Sequence, residues 1–258
     1  LDPAFAAHLD QGRRQLLELA PRTERIFTES EYNRQDLMSM GFDDVVVLPG
    51  FLDPDRLAGL PSDPHFGRKL HDRAPAEMIL FVGQLLPHKR PDLLVAAHHL
   101  LITHHRPMAT LVLVGHHPSA RFAGQVAAFV DSLGLADRVW IAGGVTDSQL
   151  GELYRRADVL ATASQHEGLC LPVVEAMAMS VPVVVSDHGA LPETVARSGV
   201  VVTCDTPEGF AEGIDLALEP SRRAELVLRG RARARAMSLE RSAAAAASAV
   251  AGWIDRSA

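Results

Sequence analysis

An open, doubly wound parallel α/β sheet is the fold class that the sequence predicts, and three observations carry the prediction. Short runs rich in Val, Ile and Leu recur along the 258-residue chain, longer amphipathic stretches separate them, and Gly or Pro bounds most of the runs. Runs of that length and composition are strands buried on both faces. Their alternation with helical patterns is the signature of right-handed βαβ units, in which each strand leads through a crossover helix to a parallel neighbour.

In chain order, the first elements are a strand over Glu24–Glu29, a helix that Ser30 would cap, and a strand over Val45–Leu48. Pro and Gly then recur from Pro49 to Ala76 with little periodicity, which marks an interdomain linker. Beyond it the strands are Met78–Val82, Thr110–Val114, Arg138–Ala142, Asp158–Ala161, Pro182–Ser186 and Val200–Thr203. The intervening helices are Pro91–His105, Ala120–Leu133, Ser148–Arg156, Pro172–Met179 and Leu191–Arg197. Helices over Pro207–Leu218 and Ser221–Met237, with Pro220 between them, and an Ala-rich helix over Ser238–Ile254 complete the chain. These patterns assign residues 1–50 to the end of an incomplete N-terminal domain, residues 51–77 to the linker and residues 78–258 to a Rossmann-like domain. The start at Leu1, without an initiator Met or a recognisable first strand, is read as truncation of the first domain.

Composition narrows the function classes. Hydrophobic residues make up 47% and charged residues 22%, enough for a core that needs no metal or disulfide staple. A formal net charge of −7 argues against a nucleic-acid partner, since phosphate binding needs a basic face. Two cysteines, Cys170 and Cys204, make no secreted-type framework, so a reducing, cytoplasmic location is expected. No apolar run reaches the roughly 18 residues that a membrane-crossing helix requires. No G-x-G-x-x-G follows any strand, which removes a dinucleotide-dependent oxidoreductase.

Ligands of open α/β sheets bind at the carboxyl ends of the strands, so the residues after each run carry the chemistry. These are Gly83-Gln84-Leu85-Leu86-Pro87-His88-Lys89, Gly115-His116-His117, Gly143-Gly144-Val145-Thr146-Asp147 and Ser164 to Glu175. In the last of them Pro172 suits a first helical turn, whose free N–H groups attract an anion such as phosphate. Gly168 permits close approach of the backbone to a ligand. Glu167 before the helix and Glu175 inside it could touch different parts of an elongated ligand, a carboxylate being a good acceptor for paired hydroxyls. The plainer reading makes Glu167 a loop carboxylate and Glu175 a residue favoured by the helix dipole.

The stretch Glu167-Gly168-Leu169-Cys170-Leu171-Pro172-Val173-Val174-Glu175-Ala176-Met177 resembles the Glu-x7-Glu signature of retaining glycosyltransferases of family 4. Their usual form is Glu-Gly-Phe-Gly-Leu-Pro-x-x-Glu-Ala-Met. The resemblance extends through Val181-Pro182-Val183-Val184-Val185-Ser186-Asp187, Gly189-Ala190-Leu191-Pro192-Glu193, Phe81-Val82-Gly83 with Pro87-x-Lys89, and Leu135-Ala136-Asp137-Arg138-Val139. It covers roughly residues 24 to 240. It implies a glycosyltransferase-B fold and transfer of a hexose from a nucleotide diphosphate sugar to a glycan or lipid-linked acceptor, with retention of configuration. By the same resemblance Lys89 contacts the diphosphate and Glu175 the ribose hydroxyls. Glu167 stands beside the transferred sugar as the catalytic residue. Gly83, Gln84 and the Gly168, Leu169, Cys170 and Leu171 amides line the phosphates and sugar, and Val145 and Asp147 lie in the loop that packs on the base. No metal or other cofactor is implied, because Lys, Arg and the helix terminus offset the diphosphate charge.

Two departures stand out. The family's usual Gly-Arg is Gly83-Gln84 here, which leaves half of a two-cation phosphate clamp absent. Cys170 replaces the commoner Gly, either as a reactive thiol at a helix terminus or as a small residue filling a tight loop. Gln84 also leaves open a non-catalytic nucleotide-sugar binding module. Residues 24–60, with Thr28-Glu29-Ser30-Glu31-Tyr32-Asn33, Gly41 and Val47-Leu48-Pro49, resemble the end of the family's acceptor domain, and the chain alone is expected not to transfer sugar.

The remaining features read as bland. His98 and His105 share a helical face but lie about 10 Å apart at ~1.5 Å rise per residue, too far to chelate one ion. His116 and His117 belong to the surface or to the cleft rim. Arg229, Arg231, Arg233 and Arg235 spread around a solvated helix, with peripheral attachment at the inner membrane face as the minority reading.

Overall fold

The computed structural model describes residues 3–48, 53 and 55–257, with the side chains of residues 3–9 and 255–257 outside the description. Residues 49–52 and 54, where the expected domain boundary falls, also lie outside the described residues. The chain opens with α1 (Pro3–Leu19), followed by β1 (Ile26–Thr28), α2 (Glu31–Ser39) and β2 (Val45–Val47). β1 and β2 pair in parallel with Ile26 opposite Val45, and Ser30 caps α2 by accepting the Asn33 N–H at 3.2 Å.

The main body is a six-stranded parallel sheet. Its strands are β3 (Met78–Val82), β4 (Thr110–Val114), β5 (Val139–Gly143), β6 (Val159–Thr162), β7 (Val183–Ser186) and β8 (Val200–Val202). They lie in the order β5-β4-β3-β6-β7-β8. The chain therefore runs outward from β3 to one edge, returns to the centre, and runs outward to the other. That reversal puts a topological switch point between β3 and β6, where the loops diverge and leave a crevice at the strands' carboxyl ends.

Alternation along the strands separates two apolar layers. Ile79 and Phe81 face the layer shared with α4 (Pro91–His104), α5 (Ala120–Ser132) and α9 (Pro207–Leu218). Met78 and Leu80 face the layer shared with α6 (Asp147–Arg156), α7 (Leu171–Ala178), α8 (Leu191–Val195) and α10 (Pro220–Ala236). The chain ends in α11 (Leu239–Ser257). No helix among the described residues is long and apolar enough to cross a membrane.

The segment expected to be an irregular linker contains α3 (Pro64–Arg73). Asp63 caps it by accepting the Phe66 N–H at 2.9 Å, and Pro64 stands in its first turn. Phe66 and Leu70, one turn apart, are buried in the second layer together with Leu57. Each such side chain contributes about 1.5–3 kcal/mol on burial, so residues 55–74 are packed onto the sheet domain. The Asp-Pro start was legible, but the apolar face is too narrow to stand out in a window this rich in Pro and Gly.

Two bland readings are refined. His98 is buried in α4, where burial pushes its pKa down to about 4, so it is a neutral core residue. Arg233 is more than a solvated cation: it donates to the Thr194 and Glu193 carbonyls at 3.0 and 2.9 Å and ties α10 to α8.

Candidate functional site

The crevice at the switch point is built from the loop after β3 and the loop after β6. A backbone bond locks them together, the Gln165 N–H donating to the His88 carbonyl at 2.7 Å, and the Leu85 N–H ties the first of them to the loop after β4 by donating to the His116 carbonyl at 3.0 Å. Gly115 has φ +145, and a Cβ there would sit 1.9 Å from the Gly83 carbonyl oxygen. That contact explains why glycine follows β4. Lys89 closes a 3-10 turn (Pro87–Lys89), and its Nζ donates to Glu167 Oε1 across the crevice. Both side chains are mostly buried. His88 beside them has its pKa lowered by burial and by the Lys89 charge, which keeps it neutral at pH 7.

Glu167 is positioned through its backbone. Its carbonyl accepts the Ala190 N–H at 2.9 Å. Gly189, at φ +58, packs so closely that a Cβ would lie 2.7 Å from both the nitrogen and the oxygen of Glu167. Cys170 follows in the left-handed region at φ 63, one residue before α7, with no side chain capping the helix. That conformation favours glycine and accounts for glycine's frequency at this place in the family signature. The Cys170 thiol is pushed up to about 12, by burial first and by the Glu167 charge second, which keeps it protonated at neutral pH. That favours the small residue filling a tight loop over the reactive thiol. Gly168 is hemmed in by protein: a Cβ would meet Glu29 Oε1 at 2.5 Å and Asn33 Nδ2 at 2.8 Å.

Glu175 sits in α7 with both oxygens engaged. Arg56 Nη2 donates to Oε1 at 2.9 Å and the Tyr154 hydroxyl to Oε2 at 2.9 Å. The other arm of the Arg56 fork reaches Asp147 Oδ2 at 2.8 Å. Burial opposes the Arg56 charge, but hydrogen bonds to Glu175 and Asp147 and the charges of both raise its pKa. Burial raises the Tyr154 pKa, and the neighbouring Glu175 carboxylate raises it further.

Thus Gly83, Lys89, Glu167, Gly168, Leu169, Cys170 and Leu171 gather at the switch point, and Asp147 and Glu175 meet through Arg56. Val145 is half-buried against the second apolar layer, just before Thr146 caps α6. Gln84 is exposed. His116 and His117 stand at the rim against Gly144 and Gly143. Among the described residues no group of His, Cys, Asp and Glu is arranged to hold a metal ion.

Sequence reasoning missed Arg56 and Tyr154, and gave Glu193 no role beyond its place in the matched motif. Glu193 accepts the Glu31 and Tyr32 N–H groups at 2.9 and 3.2 Å, so α8 anchors the amino end of α2 beside the crevice. Arg56 lies in an unpatterned segment, and Tyr154 reads as one more apolar position of an amphipathic helix. Neither carries a local signal of its partner.

Residues 67–235 match the family model of "Glycosyl transferases group 1". The D-inositol 3-phosphate glycosyltransferase of Kineococcus radiotolerans is 32% identical over 237 residues, covering 84% of this chain and 54% of that protein. The protein of the same name from Gordonia bronchialis is 31% identical over 83% of this chain and 48% of its own length. The chain thus spans about half the length of these curated relatives. Among solved structures, Anabaena HepE in complex with UDP and glucose superposes with a TM-score of 0.80 at 20% identity, over 94% of this chain and 67% of that one. Sucrose-phosphate synthase from Thermosynechococcus elongatus superposes with a TM-score of 0.82 at 22% identity, over 96% and 62%. At these identities the superpositions establish the fold, a Rossmann-like domain of the glycosyltransferase-B type.

Proposed function

This chain belongs to the group 1 glycosyl transferases, and from that membership we propose that it binds the donor of a retaining, family 4 hexosyl transfer from a nucleotide diphosphate sugar. The acceptor is a glycan or a lipid-linked acceptor, and the reaction is cytoplasmic. One observation carries the reading: the cation Lys89 meets the carboxylate Glu167 at the switch-point crevice beside the amino end of α7, the helix that also carries Glu175.

Each part has a chemical task. The diphosphate takes Lys89 as its counter-charge, with the α7 dipole adding to it. Glu175 accepts the ribose hydroxyls, and Glu167 stands beside the sugar. In the transfer the bond from the anomeric carbon to the donor phosphate breaks, and its electron pair leaves on the nucleoside diphosphate. The acceptor hydroxyl forms the new glycosidic bond and loses its proton. Cationic stabilisation of the departing diphosphate is the main contribution of the crevice.

A thermal-shift screen of UDP, GDP and ADP and their hexose conjugates tests the reading. One base series should stabilise the chain, by about 2.7 kcal/mol at a hundred times the dissociation constant. EDTA should leave that gain unchanged, since the reading needs no metal. No stabilisation by any series would overturn donor binding. The inositol phosphate named for the curated relatives belongs in the same screen as a candidate acceptor.

A further inference from the structure

Resting on that donor reading, we propose that Tyr154 and Arg56 are positioning residues for Glu175, which together make the site selective for a vicinal cis-diol and hence for ribonucleotides over deoxyribonucleotides. The acceptor capacity of a carboxylate sets what Glu175 can hold. Each of its oxygens offers two lone-pair directions. In this structure one direction on each oxygen is taken, on Oε1 by Arg56 and on Oε2 by Tyr154. The remaining direction on each oxygen leaves one acceptor site per oxygen, as many as the two hydroxyl donors of a ribose ring. A carboxylate free to rotate would present the same atoms without the fixed plane.

The two holders are placed differently, Tyr154 by burial and the exposed Arg56 by the turn of its backbone. Tyr154 is fully buried in α6, which keeps its hydroxyl oxygen beside Glu175 at 2.9 Å, with the Pro172 carbonyl at 3.3 Å as the more distant acceptor. Arg56 lies in a turn that the Gly59 N–H closes on the Asp55 carbonyl at 3.0 Å. Its neighbour Leu57 is buried, with its carbonyl packed against Gly151 of α6. The second arm of the Arg56 fork is held by Asp147. A planar guanidinium with both arms engaged presents a fork that a lysine in its place could not. The segment between the two sheets therefore contributes to the donor site.

The test is a ratio. Affinities of UDP, GDP and ADP and of their 2′-deoxy counterparts are measured by calorimetry on the chain and on Tyr154→Phe, Arg56→Met, Arg56→Lys and Glu175→Ala. The ratio of ribo to deoxy affinity cancels any general loss of packing and the loss of the Arg56 charge, since both act on the two ligands alike. Tyr154→Phe and Arg56→Met should each lower the ratio about three- to tenfold, as expected for misaligning a hydrogen bond worth ~1 kcal/mol. The deoxy affinity should stay within about twofold in Tyr154→Phe, and Arg56→Lys should recover only part of the ratio. Glu175→Ala should bring it near one.

A ratio unchanged in both Tyr154→Phe and Arg56→Met, while Glu175→Ala abolishes it, overturns the positioning proposal and keeps the donor reading. A ratio that rises in Arg56→Met overturns it too, because Arg56 would then compete with the ribose. A ratio unaffected by Glu175→Ala, or no binding of any of the six nucleotides, overturns the donor reading and this proposal together.

Discussion

The two carboxylates of one short motif are held in opposite ways. Glu167 meets a single cation, Lys89, and owes its place to its backbone, which Ala190 and Gly189 clamp. Glu175 rides on a regular helix and owes its orientation to side chains, Tyr154 and Arg56, that come from elsewhere in the chain. A backbone-held group keeps its place when its partner leaves, so the Lys89–Glu167 pair can exchange partners when a ligand arrives. A side-chain-held group depends on all its holders together.

The largest expected effect separates the two by sign. Lys89→Ala and Glu175→Ala should each weaken nucleoside diphosphate binding about ten- to a hundredfold, the range for losing a hydrogen bond to a charged group. Glu167→Ala should leave that affinity unchanged or tighten it, because it frees Lys89 from its internal counterion. Calorimetry on the three variants breaks the comparison if Glu167→Ala behaves like the other two.

Next comes the clamp itself. Gly189→Ala forces a side chain into the left-handed region and toward the Glu167 backbone. It should cost about 1–3 kcal/mol of stability by denaturant unfolding. Little loss would mean that the Glu167 loop yields easily, and the contrast with Glu175 would fade.

A smaller effect tests whether Lys89 lacks a partner. Gln84 is exposed near the crevice mouth, and Gln84→Arg should tighten diphosphate binding by up to about tenfold, more at low salt. A flat or weaker affinity at low salt would mean that the clamp is already complete.

The smallest effect concerns Cys170. Cys170→Gly should stabilise the fold by roughly 0.5–1 kcal/mol by relieving the left-handed backbone. It should also change the alkaline limb. A thiol raised from 9.0 to about 12 by folding contributes stability that is full below pH 9 and lost as pH rises from there to about 12. The wild-type chain should therefore lose more stability than the variant across that window. Parallel losses in a denaturation series at rising pH would contradict the burial of the thiol.

Sequence reasoning reached the parts of this molecule whose cause is local. Val-rich runs bounded by Gly and Pro identify the strands because a doubly buried strand needs that composition wherever it occurs. Lys89 and Glu167 were legible because both stand just after a strand, and the switch-point rule turns that position into a place in the crevice. Gly115 and Gly189 were visible as residues, but only the distances to Gly83 and Glu167 give their reason.

Arg56 marks where local reasoning stops. It stands far from Glu175 in the chain and inside a segment with no periodicity, and its role exists only because Leu57, Phe66 and Leu70 bury that segment against α6. Tyr154 is similar: its ring belongs to the apolar stripe that any amphipathic helix shows, while its hydroxyl has a function only where α7 passes. The sequence by itself determined the alternation and the doubly wound class, because these follow from composition and short-range spacing, whereas the signature carboxylates were singled out by the resemblance to a family. Tertiary structure alone decided which groups hold those carboxylates. A hydrogen bond depends on atoms brought within about 3 Å by packing, and no pattern along the chain records that approach.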